Sequence, residues 1–185
     1  MVKFLLRLIK HLSILVLVSI PLQLLGIIIL LPVVVYCHYT CNTKLPKCIA
    51  WFDSFDLYSD RDKSVYLQVI ESGILKRYIW LAFRNPLNYF GYKVLGIQVG
   101  DIPLKQLYYH GDRNVGDGSY PGFYSQEVEI NGHSYYEYYL IVLWSPTKCL
   151  RFRMGYKIGT LTTNPPGSYI QQVCVLQPYK DYWGK

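Results

Sequence analysis

The sequence predicts an α+β protein in which an N-terminal transmembrane helix is followed by short helices packed on an antiparallel β-meander. Three observations lead to this prediction. A long charge-free apolar stretch lies near the amino terminus, helical spacing of apolar residues follows it, and the second half alternates as strands do. We divide the chain into a membrane anchor (1–39), a juxtamembrane linker (40–63) and an α+β domain (64–185).

The anchor contains the stretch from Leu12 to Tyr36, whose 25 residues include no Asp, Glu, Lys or Arg. A helix of that length reaches about 37 Å, which is enough for one tilted crossing of a hydrocarbon core of about 30 Å. A cleaved signal peptide has a shorter apolar region and a small-residue cleavage site. A lipoprotein signal ending at Cys37 lacks small residues before the cysteine, and a hairpin bent at Pro21 leaves two arms too short to span.

The basic residues on either side of this stretch favour one orientation. Lys3, Arg7 and Lys10 precede the span, whereas Lys44 and Lys47 follow it. Because Lys and Arg are enriched on the cytoplasmic side of membrane spans, we expect a single-pass protein of the inner membrane with a cytoplasmic amino terminus. The C-terminal domain then lies in the periplasm.

The linker carries acidic residues and, with the end of the anchor, several metal-ligand residue types. The acidic residues lack the Gly and terminal Glu of a calcium loop, so they predict a solvated acidic segment. They are Asp53, Asp56, Asp60 and Asp62. The Cys and His residues do not have the paired spacing of zinc sites. They are Cys37, His38, Cys41 and Cys48. We therefore expect no metal and no cofactor.

The α+β domain begins with a helical pattern from residue 64 to residue 83 that Gly73 interrupts. An Asn-Pro step follows at Asn85 and Pro86. Asn is a favoured helix N-cap and Pro is favoured at the first helical position. We therefore predict a second short helix that Asn85 caps and that Gly96 ends.

Strand-like runs fill the rest of the chain. Asn131 and Gly132 form the preferred dipeptide of a two-residue hairpin turn between two such runs. Residues 149–159 alternate, with Leu150 and Phe152 on one face and Arg151, Arg153 and Lys157 on the other. Further strands are predicted at 104–110 and 168–177. The sum is an antiparallel meander of four to six strands.

The glycine-rich loop at residues 110–123 holds the densest set of titratable groups in the second half. His110, Asp112 and Asp117 are the candidates for acid–base chemistry there. Because the loop contains no nucleotide-binding or nucleophile motif, an ordinary hairpin loop with polar tips explains it as well.

The tyrosine-rich run at residues 135–139 suggests a second kind of site. Tyr136 and Tyr138, with the basic residues Arg151, Arg153 and Lys157 of the next strand, are candidates for binding a sugar or a protein. The alternative is that these rings form part of the core. The net charge of +7 is spread along the chain without a basic run, which argues against nucleic acid as a partner.

Three segments carry a resemblance to a known group. They are "LPKCIAWFD" (45–53), "RYIWLAFRNPLNYFGYKVLG" (77–96) and "RFRMGYKIG" (151–159), which follow an apolar amino terminus. Together they resemble an uncharacterised family of small membrane-anchored proteins of tailed bacteriophages. Such proteins often have Trp in a Gly-Trp-Lys step where this chain has Tyr156. The resemblance implies a phage origin and a membrane anchor but no activity.

These observations predict a membrane-anchored bacteriophage accessory protein that acts by protein–protein contact at the host envelope. Its partners would be the lipid bilayer and a phage or host protein. Two alternatives stay open: an envelope-acting hydrolase of peptidoglycan that uses the loop at 110–123, and a virion component that enters the envelope during genome delivery. The sequence leaves the oligomeric state undetermined.

Overall fold

The computed structural model describes residues 2–58, 63–99, 104–115, 120–159 and 168–181. The α-helices are α1 (Val2–Ile14), α2 (Ile20–Tyr39), α3 (Lys63–Glu71), α4 (Ile74–Ile79) and α5 (Asn88–Lys93). The strands are β1 (Ile97–Gln98), β2 (Lys105–Gly111), β3 (Gly122–Ile130), β4 (His133–Ser145), β5 (Lys148–Tyr156), β6 (Tyr169–Ile170) and β7 (Gln172–Asp181). The described residues also form two π-helical turns (Leu15–Ser19, Trp80–Arg84) and two 3₁₀ turns (Lys47–Phe52, Phe55–Tyr58). The α+β fold class is confirmed.

The chain forms two compact units. The sheet unit comprises Met1–Leu12 and Gly96–Lys185, and the helical unit comprises Ser13–Leu95. The boundaries of the anchor, the linker and the domain were set from the sequence according to the expected role of each segment. They stay a prediction.

The N-terminal helix is continuous from Val2 to Tyr39, and it is long and apolar enough to cross a membrane. Its π-helical turn ends at Ser19, two residues before Pro21. Proline has no N–H, and its ring crowds the carbonyl of residue i−4. A wider π turn relieves that crowding, so this proline does not end the helix.

In the helical unit α4 and the π-helical turn Trp80–Arg84 pack on α2, α3 packs on α4, and α5 packs on the two 3₁₀ turns. The buried residues of this unit include Leu30 and Val34 of α2 and Tyr66 of α3. At Gly26 a Cβ atom would lie 2.8 Å from the Phe52 ring, so glycine is required for this close approach.

The predicted helix start at Asn85 and Pro86 is wrong. Asn85 instead ends the π-helical turn, with its N–H donating to Trp80 O at 2.8 Å. Because Leu87 adopts a left-handed conformation with φ of 53°, helical geometry resumes only at Asn88. Pro86 thus lies in the connection between two helices, outside α5.

Two further expectations about this joint need correction. Gly96 does not end the helix, because α5 already ends at Lys93. The side chain that ties the joint to the linker is Asn88, whose Oδ1 accepts from Phe55 N–H at 2.7 Å. Asn85 contributes a side-chain hydrogen bond to the Asp56 carboxylate at 3.3 Å.

The sheet unit contains a five-stranded antiparallel sheet in the order β2-β3-β4-β5-β7, and β1 pairs separately with β6. The predicted hairpin is confirmed: Asn131 and Gly132 have φ of 52° and 76°, as a type I′ turn requires, and Ile130 pairs with His133. The predicted strand at 168–177 is divided at Gln171, so that β6 and β7 pair with different strands.

Candidate functional site

One face of the sheet receives the amino-terminal helix of the same chain. Because residues i and i+2 of a strand share a face, Tyr136 and Tyr138 of β4 lie on the same face. The edge of Phe4 meets the Tyr138 ring at 4.8 Å between centroids. The Arg7 guanidinium lies 3.9 Å from the centroid of the Tyr136 ring, and His11 contacts the same ring at 5.5 Å. Positions 4, 7 and 11 form one stripe of an α-helix.

Glu127 of β3 is the electrostatic centre of this contact. Its carboxylate pairs with Lys3 Nζ at 3.0 Å and with an Arg7 NH2 group at 2.9 Å, and the Ser134 hydroxyl also donates to it. Arg7 donates a further hydrogen bond to the Tyr138 hydroxyl at 3.1 Å. The Lys3 side chain is 69% exposed, whereas those of Arg7 and Glu127 are 14% and 15% exposed. Arg7 is therefore the stronger partner.

The pKa of Glu127 reports the same arrangement. Burial by itself raises this pKa, because it disfavours the charged form. Hydrogen bonds from Ser134, Lys3 and Arg7, together with the Arg7 charge, outweigh burial and lower the pKa to about 2. Glu127 is therefore charged at neutral pH and holds α1 on the sheet.

The far end of this helix face is buried. His11 has no exposed surface, although it belongs to a largely exposed helix. Its Nδ1 is hydrogen bonded to the Gln172 side chain, and its ring meets Tyr156 at 6.2 Å between centroids. The binding candidates Tyr136 and Tyr138 thus bind the chain's own amino terminus in this structure.

The opposite face of the sheet holds a buried ion pair. Glu137 is fully buried and accepts from Arg153 Nε at 2.7 Å and from an Arg153 NH2 group at 2.5 Å. Gln126 Nε2 and Gly159 N–H also donate to it, at 2.9 Å and 3.1 Å. Arg153, a binding candidate from the sequence, is therefore a buried structural partner of Glu137.

The other two basic candidates lie close to Arg153 in sequence. Arg151 and Lys157 are half-buried, and Lys157 N–H donates to Gln171 O at 2.8 Å. Arg151 shares a face with Arg153, as the alternation predicts.

The acid–base candidates lie at the edge strand β2 and just beyond it. His110 and Asp112 are exposed. The Asp112 carboxylate accepts from Asn114 N–H at 2.8 Å, which closes a local turn. Asp117 lies outside the described residues. In the part of the chain that the structure describes, no group of three His, Cys, Asp or Glu side chains could hold a metal ion.

A third polar cluster lies inside the helical unit. Asp53 is fully buried, so the expectation of a solvated residue there is wrong. Its oxygens accept from Leu45 N–H at 3.0 Å and Ser54 N–H at 2.9 Å. Burial raises the Asp53 pKa, although these hydrogen bonds and the positive charge of Arg77 oppose the rise. The buried Arg77 donates to Asn42 O and Thr43 O at 2.9 Å and 2.6 Å. These bonds fix the turn that follows α2.

An exposed apolar surface continues the face that α1 covers. Phe123, Leu140, Phe152 and Leu176 are direct cross-strand neighbours from β3 to β7. They form the next row along the sheet from Tyr138, two residues away. Val142 and its neighbour Leu150 form a further row. Phe123, Val142 and Leu176 are exposed, the last at 63%. We call these six residues the apolar patch.

Sequence reasoning did not identify Glu127, Glu137 or His11. The spacing of Lys3, Arg7 and His11 along one stripe of an apolar helix was the available signal, because such a stripe demands a polar partner. The partner itself is more than a hundred residues away in the sequence, and only the fold identifies it.

Comparison with known proteins gives one match. A family model described as "Family of unknown function (DUF7338)" matches residues 4–183. No curated protein and no solved structure matches the chain.

Proposed function

We propose that this member of DUF7338, a family of unknown function, is a membrane-anchored accessory protein. It acts by binding another protein. The proposal has two parts, the anchor and the binding surface. Each part has its own supporting observation and its own experiment.

The anchor is supported by the exposed apolar surface of the long helix. Eight large apolar side chains between residues 12 and 31 are exposed, with Leu17 and Ile28 at 74%. They are Leu12, Val16, Leu17, Ile20, Leu24, Leu25, Ile28 and Leu31. A core helix of a soluble protein buries such residues, because apolar surface costs about 25 cal/mol per Å² in water. A bilayer removes the same surface from water.

The helix is also a structural part of the helical unit. Tyr78 Oη donates to Ile27 O at 2.9 Å, and Gln23 Nε2 donates to Ala82 O at 3.4 Å. Cleavage of the segment as a signal peptide would remove these partners together with Leu30 and Val34 of the buried core. The contacts therefore favour a retained anchor.

The binding surface is the apolar patch. None of its six residues carries a charge, and its central row crosses four strands. Contiguous apolar surface of this kind is typical of interaction sites. The uncharged surface fits an apolar face of a partner protein, with Phe123 and Phe152 as aromatic anchors.

The phage origin and the inner membrane are part of the proposal and are supported by the sequence resemblance alone. The partner is then a phage protein or a host envelope protein. Within the described residues no contact favours a hydrolase, because His110 and Asp112 are exposed side chains at a sheet edge.

The anchor is tested by fractionation of cells that express the full chain. We expect the protein in the membrane pellet after a carbonate wash. Ile28→Lys places a charge in the proposed lipid contact and should shift much of the protein to the soluble fraction. The control Leu107→Lys changes an exposed apolar residue of β2 and should leave it in the pellet. Wild-type protein in the soluble fraction would overturn the proposal.

The binding surface is tested by photocross-linking in infected cells. We place p-benzoylphenylalanine at Leu176, in the patch, and at Leu107 as the control. A protein adduct at residue 176 that is missing at residue 107 supports the proposal. Adducts only to lipid, only to a second copy of the chain, or to nothing would refute it. Mass spectrometry of purified particles then shows whether the protein is a virion component.

A further inference from the structure

We propose that the amino terminus and the β-sheet lie on the same side of the bilayer, and that α2 is one arm of a membrane-embedded helical hairpin. The second arm is the continuous helical segment from Ile74 to Arg84. This inference rests on the proposed membrane anchor. The count of basic residues suggested a single crossing with the two ends of the chain on opposite sides of the bilayer. The present inference replaces that arrangement.

The contacts of α1 supply the first argument. Lys3 and Arg7 pair with Glu127, and the buried His11 is hydrogen bonded to Gln172. A bilayer separates its two aqueous sides by about 30 Å of hydrocarbon. Residues 3–11 cannot reach β3 and β7 across that distance. The sheet and the amino terminus therefore share one aqueous compartment.

The course of the chain after α2 supplies the second argument. Tyr78 contacts Ile27, and four residues later Ala82 contacts Gln23. The order of the partners is reversed, so the segment from Ile74 to Arg84 runs antiparallel to α2. The chain thus returns along the anchor toward the end from which it started. The arm has 11 residues and reaches about 16 Å, roughly half of the hydrocarbon core, so in this proposal the residues that follow Arg84 complete the return to the shared compartment.

The outer surface of the returning arm supplies the third argument. Leu75, Ile79 and Phe83 are exposed large apolar residues at intervals of four. That interval places them in one stripe of the helix. Arg77 of the same segment is buried and donates to two backbone carbonyls, whereas Lys76 and Arg84, near the two ends of the segment, are exposed. The stripe therefore offers apolar surface for lipid contact on a second helix.

The positive-inside rule then indicates on which side of the bilayer the amino terminus and the sheet lie. With the amino terminus in the cytoplasm, the sheet and its apolar patch face the cytoplasm as well. The partner of the patch is accordingly a cytoplasmic protein or a cytoplasmic segment of a membrane protein.

The first experiment treats isolated membranes with a carbodiimide, which joins a lysine to a carboxylate in direct contact. We expect a cross-linked peptide pair containing Lys3 and Glu127, at 3.0 Å in the structure. The pair should disappear in Glu127→Gln, and Lys10 should form no cross-link to β3. Failure to detect the Lys3–Glu127 pair in membrane-bound protein would overturn the inference.

The second experiment attaches green fluorescent protein or alkaline phosphatase to each end of the chain. The same reporter should be active at both ends, with fluorescence expected. Fluorescence at one end and phosphatase activity at the other would overturn the inference while leaving the anchor intact. Recovery of the fusions in the soluble fraction would instead refute the proposed function.

A third experiment addresses the returning arm. With p-benzoylphenylalanine at Ile79, we expect a lipid adduct in native membranes, and none with the same group at Leu107. Equal or absent lipid labelling at the two positions would refute lipid contact by this arm.

Discussion

Replacing Glu127 by Gln should release the amino-terminal helix from the sheet without unfolding the sheet. The change removes the charge that Arg7 and Lys3 face and keeps the shape of the side chain. A largely buried, charge-assisted hydrogen bond such as that of Arg7 contributes about 1.5–3 kcal/mol. The pair with the exposed Lys3 adds at most about 1 kcal/mol. Because the glutamine keeps one acceptor oxygen, we expect the free energy that holds α1 on the sheet to fall by about 2 kcal/mol.

Hydrogen–deuterium exchange in detergent micelles measures this loss directly. A loss of about 2 kcal/mol corresponds to roughly 30-fold faster exchange of the α1 amides, since 1.4 kcal/mol is tenfold. Amides of β4 and β5 should keep their rates, because local opening of one helix leaves the rest of the fold intact. Glu129→Gln is the matched control: it removes a charge two residues away on the same strand face.

A double-mutant cycle with Arg7→Met separates the ion pair from other effects of the substitution. The coupling energy between Arg7 and Glu127 should be about 1–2 kcal/mol. Additive effects of the two substitutions would refute the reasoning, because the pair would then contribute nothing. Equal acceleration of exchange in β4 would refute it as well, since Glu127 would be stabilising the whole sheet.

Three further predictions concern the same unit and the buried carboxylate of the helical unit. The pKa of Glu127 in the folded protein is about 2, below the value of 4.5 for a free side chain. Its contribution to holding α1 on the sheet is therefore present above pH 4.5 and is lost as pH falls toward 2. Hydrogen exchange of the α1 amides should accelerate as pH falls across that range, and a flat profile would contradict this. Asp53→Ala leaves the buried N–H groups of Leu45 and Ser54 without an acceptor and should lower the free energy of unfolding by about 2–4 kcal/mol; an unchanged melting temperature in detergent would show that water replaces the carboxylate. Gly155→Ala places a Cβ atom 2.2 Å from Tyr136 O at a φ of +108° and should lower the free energy of unfolding by about 2–4 kcal/mol. Gly132→Ala, at a φ of +76° in open space, should lower it by about 1 kcal/mol. Similar thermal shifts in the two variants would contradict the backbone clash.

Local signals in the sequence predicted local structure well. The Asn131-Gly132 turn and the strands that it joins were predictable because two adjacent residues determine that hairpin. The long apolar helix was predictable because no charge interrupts it. The break at Gly73 follows from the same logic, since glycine lowers the stability of a helix interior.

The joint at Asn85 and Pro86 was predicted in place but not in detail. Proline restricts the residue before it, which is why a break occurs there. The left-handed Leu87 could not be foreseen, because such a conformation is unfavourable locally and is held by the surrounding fold. The helix start therefore shifted to Asn88.

The buried charges were missed for one common reason. Charged side chains are exposed unless they are paired, so the sequence alone does not indicate that Asp53, Glu137 and Arg153 are buried. Their partners come from other elements: Glu137 meets Arg153 across β4 and β5, and Asp53 meets the backbone of Leu45 and Ser54. Only the register and the packing reveal that each charge is satisfied.

The sequence by itself determined the apolar helix, the α+β class, the hairpin and the antiparallel meander, because each depends on periodicity or on a few adjacent residues. The tertiary structure alone decided what the amino-terminal helix does. Lys3, Arg7 and His11 find Glu127, Tyr136 and Gln172 more than a hundred residues away. Contacts at such a separation depend on how the whole chain folds, and no local pattern encodes them. From these contacts we infer that the amino terminus and the sheet lie in one aqueous compartment.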